Sequence, residues 1–375
     1  MYYCSPRKKQ RVLTLIIACV ESLLGPGSGC MISVTTDVQR ERDLSLDGVR
    51  FTAIFMVILI HVSAKGFLSM GLNWWAVNFY ESISRAAVPL FFMVSGALLL
   101  TKETSARASL KRIWRVTLPL FVWSIVYLAW FQYTGTPFDD WVLRILRGPV
   151  VAHFWYLYTL IGAYLFLPVL IGFFKIENTS STVLAMAGWF IGSSIVPLFY
   201  VLNQKGYLGV DWGFLPLYAG YIVAGGLIYH RVRSSDALVS LAAVTWAVCV
   251  SATALLTWQY SISVGHADET FYVYSSPFVV LAALSSFILL RALFNRVFLK
   301  SGRIRSFLIW AGKLNFGVYL VHVLVMFWFD INGISYNFTT PWLAIPLTSI
   351  AILTASGAMV YLLQKIPFVR QVVPA

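Results

Sequence analysis

Apolar residues in this chain come in long uninterrupted runs, not in the alternating or one-faced patterns of soluble strands and helices. A helix needs around 20 apolar residues to cross roughly 30 Å of hydrocarbon. About ten runs reach that length, near residues 48–65, 84–100, 113–133, 151–173, 182–203, 211–230, 237–260, 273–294, 306–329 and 342–363. The pattern predicts an all-α, polytopic membrane bundle of about ten transmembrane helices. The connections are short, and neither an internal repeat nor a low-complexity tract is visible. The division predicted is an N-terminal extension over residues 1–43 and a membrane-embedded domain over 44–370.

Composition supports this reading. The chain is 59% hydrophobic and only 11% charged, whereas soluble domains carry about 25% charged residues. The formal net charge of +13 would suggest nucleic acid in a soluble protein. Here Lys and Arg lie between apolar runs and form no single basic domain, so no nucleic-acid partner is expected. Instead they set topology. Lys102, Arg107, Lys111, Arg112 and Arg115 lie between runs two and three. Arg291, Arg296, Lys300, Arg303 and Arg305 lie between runs eight and nine. The alternate connections are poor in positive charge, so the positive-inside rule places both termini in the cytoplasm.

The first thirty residues do not fit the rest. Arg7, Lys8, Lys9 and Arg11 precede a short apolar stretch and a Gly/Pro/Ser segment, like a signal peptide. A cleaved signal would put the mature N-terminus outside, against every later charge. The preferred readings are a disordered cytoplasmic extension or a start site placed upstream of Met31. Cys4, Cys19, Cys30 and Cys249 show no metal-ligand or disulfide spacing.

Ionisable residues inside a membrane span cost roughly 2.5–3.5 kcal/mol on insertion scales, which makes them functional candidates. Arg50 and His61 share the first run. Eleven residues at about 100° each bring them to the same face, about 16 Å apart along the axis. Glu81 and Arg85 open the second run one turn apart and are able to pair. His153 and Trp155 open the fourth, and Tyr319 and His322 lie in the outer half of the ninth. His61, Arg85, His153 and His322 thus fall at similar depth near the outer face. A second, inner set comprises Arg50, Arg112, Arg115 and Lys313. Of these, Arg50 and Lys313 are the better candidates for anionic phosphates, and topology alone also accounts for Arg112 and Arg115. The arrangement suggests an anionic donor docked at the inner basic set with its reactive end at the outer histidines. Histidine supplies a general base near neutral pH.

Four stretches around these residues resemble acyltransferase family 3, the multi-spanning acyl-CoA-dependent O-acyltransferases. They are LDGVRFTAIFMVILIH with Arg50 and His61, SRAAVPLFFMVSGALL with Arg85, HFWYLYTLIGAYLFLPVL with His153 and Trp155, and FGVYLVH with Tyr319 and His322. The resemblance covers about residues 44–370. It implies a multi-pass protein of a bacterial inner membrane that moves an acyl group, usually acetyl, from cytoplasmic acetyl-CoA or another acyl-CoA. The acceptor is a hydroxyl of a cell-surface or lipid-linked glycan, and no metal takes part. The essential residues it implies are His61, Arg50 and Arg85. Glu81, His153, Trp155, Tyr319 and His322 are read as acceptor-side residues, and Lys313, Arg112 and Arg115 join Arg50 at the donor. Membrane lipid and polysaccharide-synthesis proteins are the further partners expected. Some members carry a soluble hydrolase-like domain after the spans. This sequence ends about a dozen residues after the last run, so it is expected to act directly on its acceptor or to pass the acyl group on. The alternatives are a transporter or flippase for a glycan or small anion, and an acyl conduit serving a separate transferase. Few broken-helix signals and no repeat speak against a transporter.

Overall fold

The computed structural model describes residues 42–374 apart from 72, 103–104, 137–139, 177 and 204–215. The expectations for residues 1–41, and for Lys205, fall outside the described residues. Among these residues the protein is all-helical, with no strand. In chain order the helices are α1 Leu44–Ser63, α2 Trp74–Ser84, α3 Ala87–Leu99, α4 Ala106–Tyr133, α5 Trp141–Arg147, α6 Trp155–Phe174, α7 Thr179–Phe190 and α8 Val196–Asn203. Then come α9 Leu217–His230, α10 Asp236–Val264, α11 Pro277–Arg296, α12 Gly302–Gly312, α13 Asn315–Ile331 and α14 Pro341–Leu363.

Helix α1 is the hub. It packs against α2, α3, α11, α12, α13 and α14. Leu46, Val49, Ala53, Ile54, Val57 and Ile58 along it are buried. Asp43 starts the helix by accepting from the Ser45 backbone N–H at 2.9 Å and from the Tyr229 hydroxyl at 2.8 Å. Burial pushes the Asp43 carboxyl up, yet its hydrogen bonds from Ser45 and Tyr229 and the charge of Arg291 together hold it below the usual carboxylate value. The residue that caps the first span is therefore tied to α9 and lies in the field of α11.

Lipid tails are as apolar as leucine, so close packing between spans relies on small residues. The α3–α9 crossing shows it. A Cβ at Gly96 would lie 1.8 Å from the Ile222 carbonyl oxygen, and one at Gly225 would lie 2.2 Å from that of Met93. Helix α10 is inverted relative to a soluble helix. Its buried face is Ala242, Cys249, Thr253, Thr257 and Ser261, while Leu241, Val244, Val248 and Leu255 form an exposed apolar stripe.

Among the described residues, eight helical segments are long and apolar enough to cross a membrane, and a bent pair makes a ninth. Each of the ten predicted runs contains a helix. The sixth, however, contributes only the 14 residues of α9, about 21 Å at 1.5 Å per residue. Among the described residues, length and composition therefore support fewer than ten crossings. Local irregularities interrupt three of the spans, one of them sharply. The second span is interrupted by a turn at Arg85 and Ala86 between α2 and α3. The α12–α13 pair bends by 69° at Lys313 and Leu314. A π-turn at Ile191–Ile195 stands between α7 and α8, beside Pro197, whose missing N–H cannot continue the helical ladder.

Candidate active site

Three histidines from three spans meet at one end of the bundle. His61 lies in the last turn of α1, His153 lies in the 3-10 turn that leads into α6, and His322 is mid-way along α13. The ring centroids of His153 and His322 are 4.8 Å apart, those of His61 and His322 5.3 Å, and those of His61 and His153 5.9 Å. His153 and His322 are buried, whereas His61 is half-buried. His322 places Nδ1 2.8 Å from the Tyr319 carbonyl and 3.2 Å from that of Val318. Both oxygens only accept, so a neutral ring carries its hydrogen on Nδ1 and leaves Nε2 as a bare acceptor. That Nε2 is buried and makes no hydrogen bond. Tyr319 donates its hydroxyl to the His153 carbonyl, fixing the entry to α6 against α13. Tyr127 donates to the Leu320 carbonyl at 2.9 Å, and its ring sits 5.7 Å from that of His153.

Arg85 occupies the break between α2 and α3 beside this cluster. It pairs with Glu81, which is buried and also accepts from the Ser63 hydroxyl at 3.0 Å, two residues past His61. The guanidinium stacks over the Tyr272 ring at 4.4 Å. One further turn along, Lys65 pairs with Asp330 at the end of α13. The ends of the spans that carry His61 and His322 are thus held by ion pairs as well as by packing.

A cavity of about 660 Å³ opens from the other end of the bundle. Arg50, Arg112, Arg115 and Arg370 line it there, and its inner wall is formed by Tyr156 and Tyr319. The Tyr319 ring lies 5.4 Å from that of His153 and 5.8 Å from that of His322. The basic cavity and the histidine cluster therefore share a wall one aromatic ring thick. Such a chamber suits an elongated anion whose far end must reach a base.

The sequence model of the acyltransferase domain of this family matches residues 43–361, most of the chain. The chain belongs to acyltransferase family 3. It is a multi-pass membrane protein of that family, and no curated protein and no solved structure gives a significant match.

Within this acyltransferase the residues singled out from sequence separate into two groups. His61, His153, His322 and Tyr319 form one contact cluster, with Glu81 and Arg85 at its edge. Trp155 is not in ring contact with the histidines. It packs against Tyr218 and Tyr274, with ring centroids at 5.4 and 5.6 Å. Arg50, Arg112 and Arg115 line the basic cavity, but Lys313 does not. Lys313 is exposed at the bend between α12 and α13, so the tertiary bend, not helix depth, explains its position. Sequence reasoning gave Arg370 no part in the site and did not single out Asn315 or Tyr127. Asn315 and Arg370 reach the cavity through the bend at Lys313 and the return of the C-terminal segment, and Tyr127 reaches the histidines from α4 by its bond to the Leu320 carbonyl. Among the described residues, no three His, Cys, Asp or Glu side chains are arranged to hold a metal ion.

Proposed function

We propose that this acyltransferase moves an acetyl or similar acyl group from a cytoplasmic acyl-CoA to a hydroxyl of a cell-surface or lipid-linked glycan. The bacterial inner membrane is the location proposed. The observation that carries the reading is the shared wall between a four-arginine cavity and a three-histidine cluster. Arginines suit phosphates because their planar forks bind oxygen pairs. The donor's nucleotide end occupies the arginine cavity, and its thioester extends past Tyr156 and Tyr319.

His61 is the general base. It is the one histidine of the cluster that is half-buried, so an acceptor reaches it more readily than His153 or His322. Its nitrogen takes the proton from the acceptor hydroxyl as the oxygen attacks the thioester carbonyl. A C–O bond forms, the C–S bond breaks, and the CoA sulfur leaves with the proton that His61 returns. Arg85, aligned by Glu81, supplies positive charge for the developing oxyanion, where a fixed donor is worth roughly 2.7–4 kcal/mol. His322, whose Nδ1 hydrogen is held by the Tyr319 carbonyl, packs its ring against that of His61 and helps orient it.

The test is acetyl transfer from acetyl-CoA to glycan by membranes containing wild type or His61→Ala, together with acetyl-CoA binding by the purified proteins. The expected result is transfer by wild type, none by His61→Ala, and donor binding by both. Full transfer by His61→Ala removes the base assignment. A transporter reading draws support from the 69° break between α12 and α13. It predicts acceptor translocation with no acetyl-CoA-dependent incorporation.

A further inference from the structure

Bending the ninth span leaves the N-terminus of a 17-residue helix, α13, inside the protein. Gly312, Asn315 and Phe316 around that N-terminus line the same cavity as the arginines. Asn315, the first residue of α13, is 9% exposed, and its side-chain Nδ2 is buried with no hydrogen-bond partner. An unmet amide donor inside a protein costs about 1–3 kcal/mol, so its presence on a cavity wall calls for a ligand acceptor. A helix N-terminus carries about half a positive charge and favours anions.

A second element closes the same space. After α14 the chain turns back, and Arg370 and Pro374 line the cavity. This return is anchored. Val373 is fully buried, and Trp123 donates to the Val372 carbonyl at 3.0 Å. Gln364 Nε2 donates both to the Val373 carbonyl at 3.0 Å and to the Lys313 carbonyl at 2.9 Å. One side chain thus joins the returning segment to the bend that exposes the α13 N-terminus. Arg370 is exposed, which places it at the cavity mouth, whereas Asn315 is buried next to the wall residue Phe316.

We propose that these two elements are separate phosphate subsites of the donor, resting on the acyl-CoA reading above. Asn315 and the α13 N-terminus hold the pyrophosphate, nearer the thioester. Arg370 holds the ribose 3′-phosphate, the group farthest from it. The returning segment is then a specificity element that distinguishes CoA from dephospho-CoA, and Asn315 binds what the two share.

The experiment measures binding of CoA and dephospho-CoA to purified full-length wild type, Arg370→Gln and Asn315→Ser, with thermal unfolding of each protein as a check on folding. Wild type is expected to prefer CoA over dephospho-CoA. Arg370→Gln is expected to lose about tenfold for CoA and little for dephospho-CoA, which erases the preference. Asn315→Ser is expected to weaken both ligands about equally, by roughly tenfold. If wild type binds CoA but Arg370→Gln retains the preference, the 3′-phosphate assignment is overturned while the acyl-CoA reading stands. A folded Asn315→Ser with unchanged affinity for both ligands overturns the pyrophosphate subsite. Arg370 is exposed, so its variant remains informative if Asn315→Ser unfolds. No CoA binding by wild type overturns both the subsites and the donor assignment beneath them.

Discussion

Arg50 and His61 are eleven residues apart on one helix, yet they meet different chambers. Arg50 faces the basic cavity, and Asp47 one turn earlier lies 3.6 Å from its guanidinium. His61 packs against His153 and His322. This separation gives the two residues separable phenotypes. Arg50→Ala is expected to lower acetyl-CoA affinity at least tenfold, on the order of a charged hydrogen bond. Arg50→Lys is expected to recover little of it, because an ammonium cannot make the paired contacts of a guanidinium. Equilibrium binding in detergent checks both. Wild-type affinity in Arg50→Ala would remove Arg50 from the donor site, whatever its effect on transfer.

At the scale of elements, the site depends on helices that approach closely or break. Gly96 on α3 sits against the Ile222 carbonyl of α9, and a methyl there would lie only 1.8 Å from that oxygen. Backbone cannot yield as a side-chain tip can, so the two helices must part. Gly96→Ala is expected to destabilise the protein by about 1–3 kcal/mol through overpacking. Gly162 on α6 has open space around its Cβ position, and Gly162→Ala is expected to be neutral or slightly stabilising, since alanine is the better helix former. Thermal unfolding in one detergent compares them. Equal stability of the two variants would refute the tight-crossing argument. The broken second span has a different use: its turn puts Arg85, paired to Glu81, beside the histidines.

For the whole molecule, the number of crossings decides which side of the membrane each chamber faces. Length and composition support eight or nine among the described residues; the alternation of basic connections leads us to expect ten, with both termini in the cytoplasm. The difference is α9, short but buried along Gly220–Gly226 against its neighbours. We expect α9 to serve as the sixth crossing, because the basic residues Arg231 and Arg233 directly follow it. Single cysteines at Lys111, His266 and Gln371, all exposed positions, report this in a background without the native cysteines. Lys111→Cys and Gln371→Cys are expected to react from the cytoplasmic side and His266→Cys from the opposite side. Reaction of Gln371→Cys from the outer side alone would give an odd number of crossings and reverse the assignment of the C-terminal segment.

Sequence alone determined the membrane bundle, because a 20-residue apolar run has few other stable homes and a spanning backbone must satisfy its own hydrogen bonds. It also determined which polar residues stand out, since each is costly within an apolar run. The eleven-residue spacing of Arg50 and His61 carried their shared face. Only tertiary structure decided which candidates meet. Lys313 looked deep by helix counting, but a 69° bend turned it outward and brought Asn315 into the cavity. Arg370 reached the cavity because Val373 buries and Gln364 ties its segment back. Breaks and returns of this kind arise from contacts between distant segments, such as Trp123 with Val372. Such contacts leave no periodic trace in the chain, whereas burial in lipid writes its requirement on every consecutive residue.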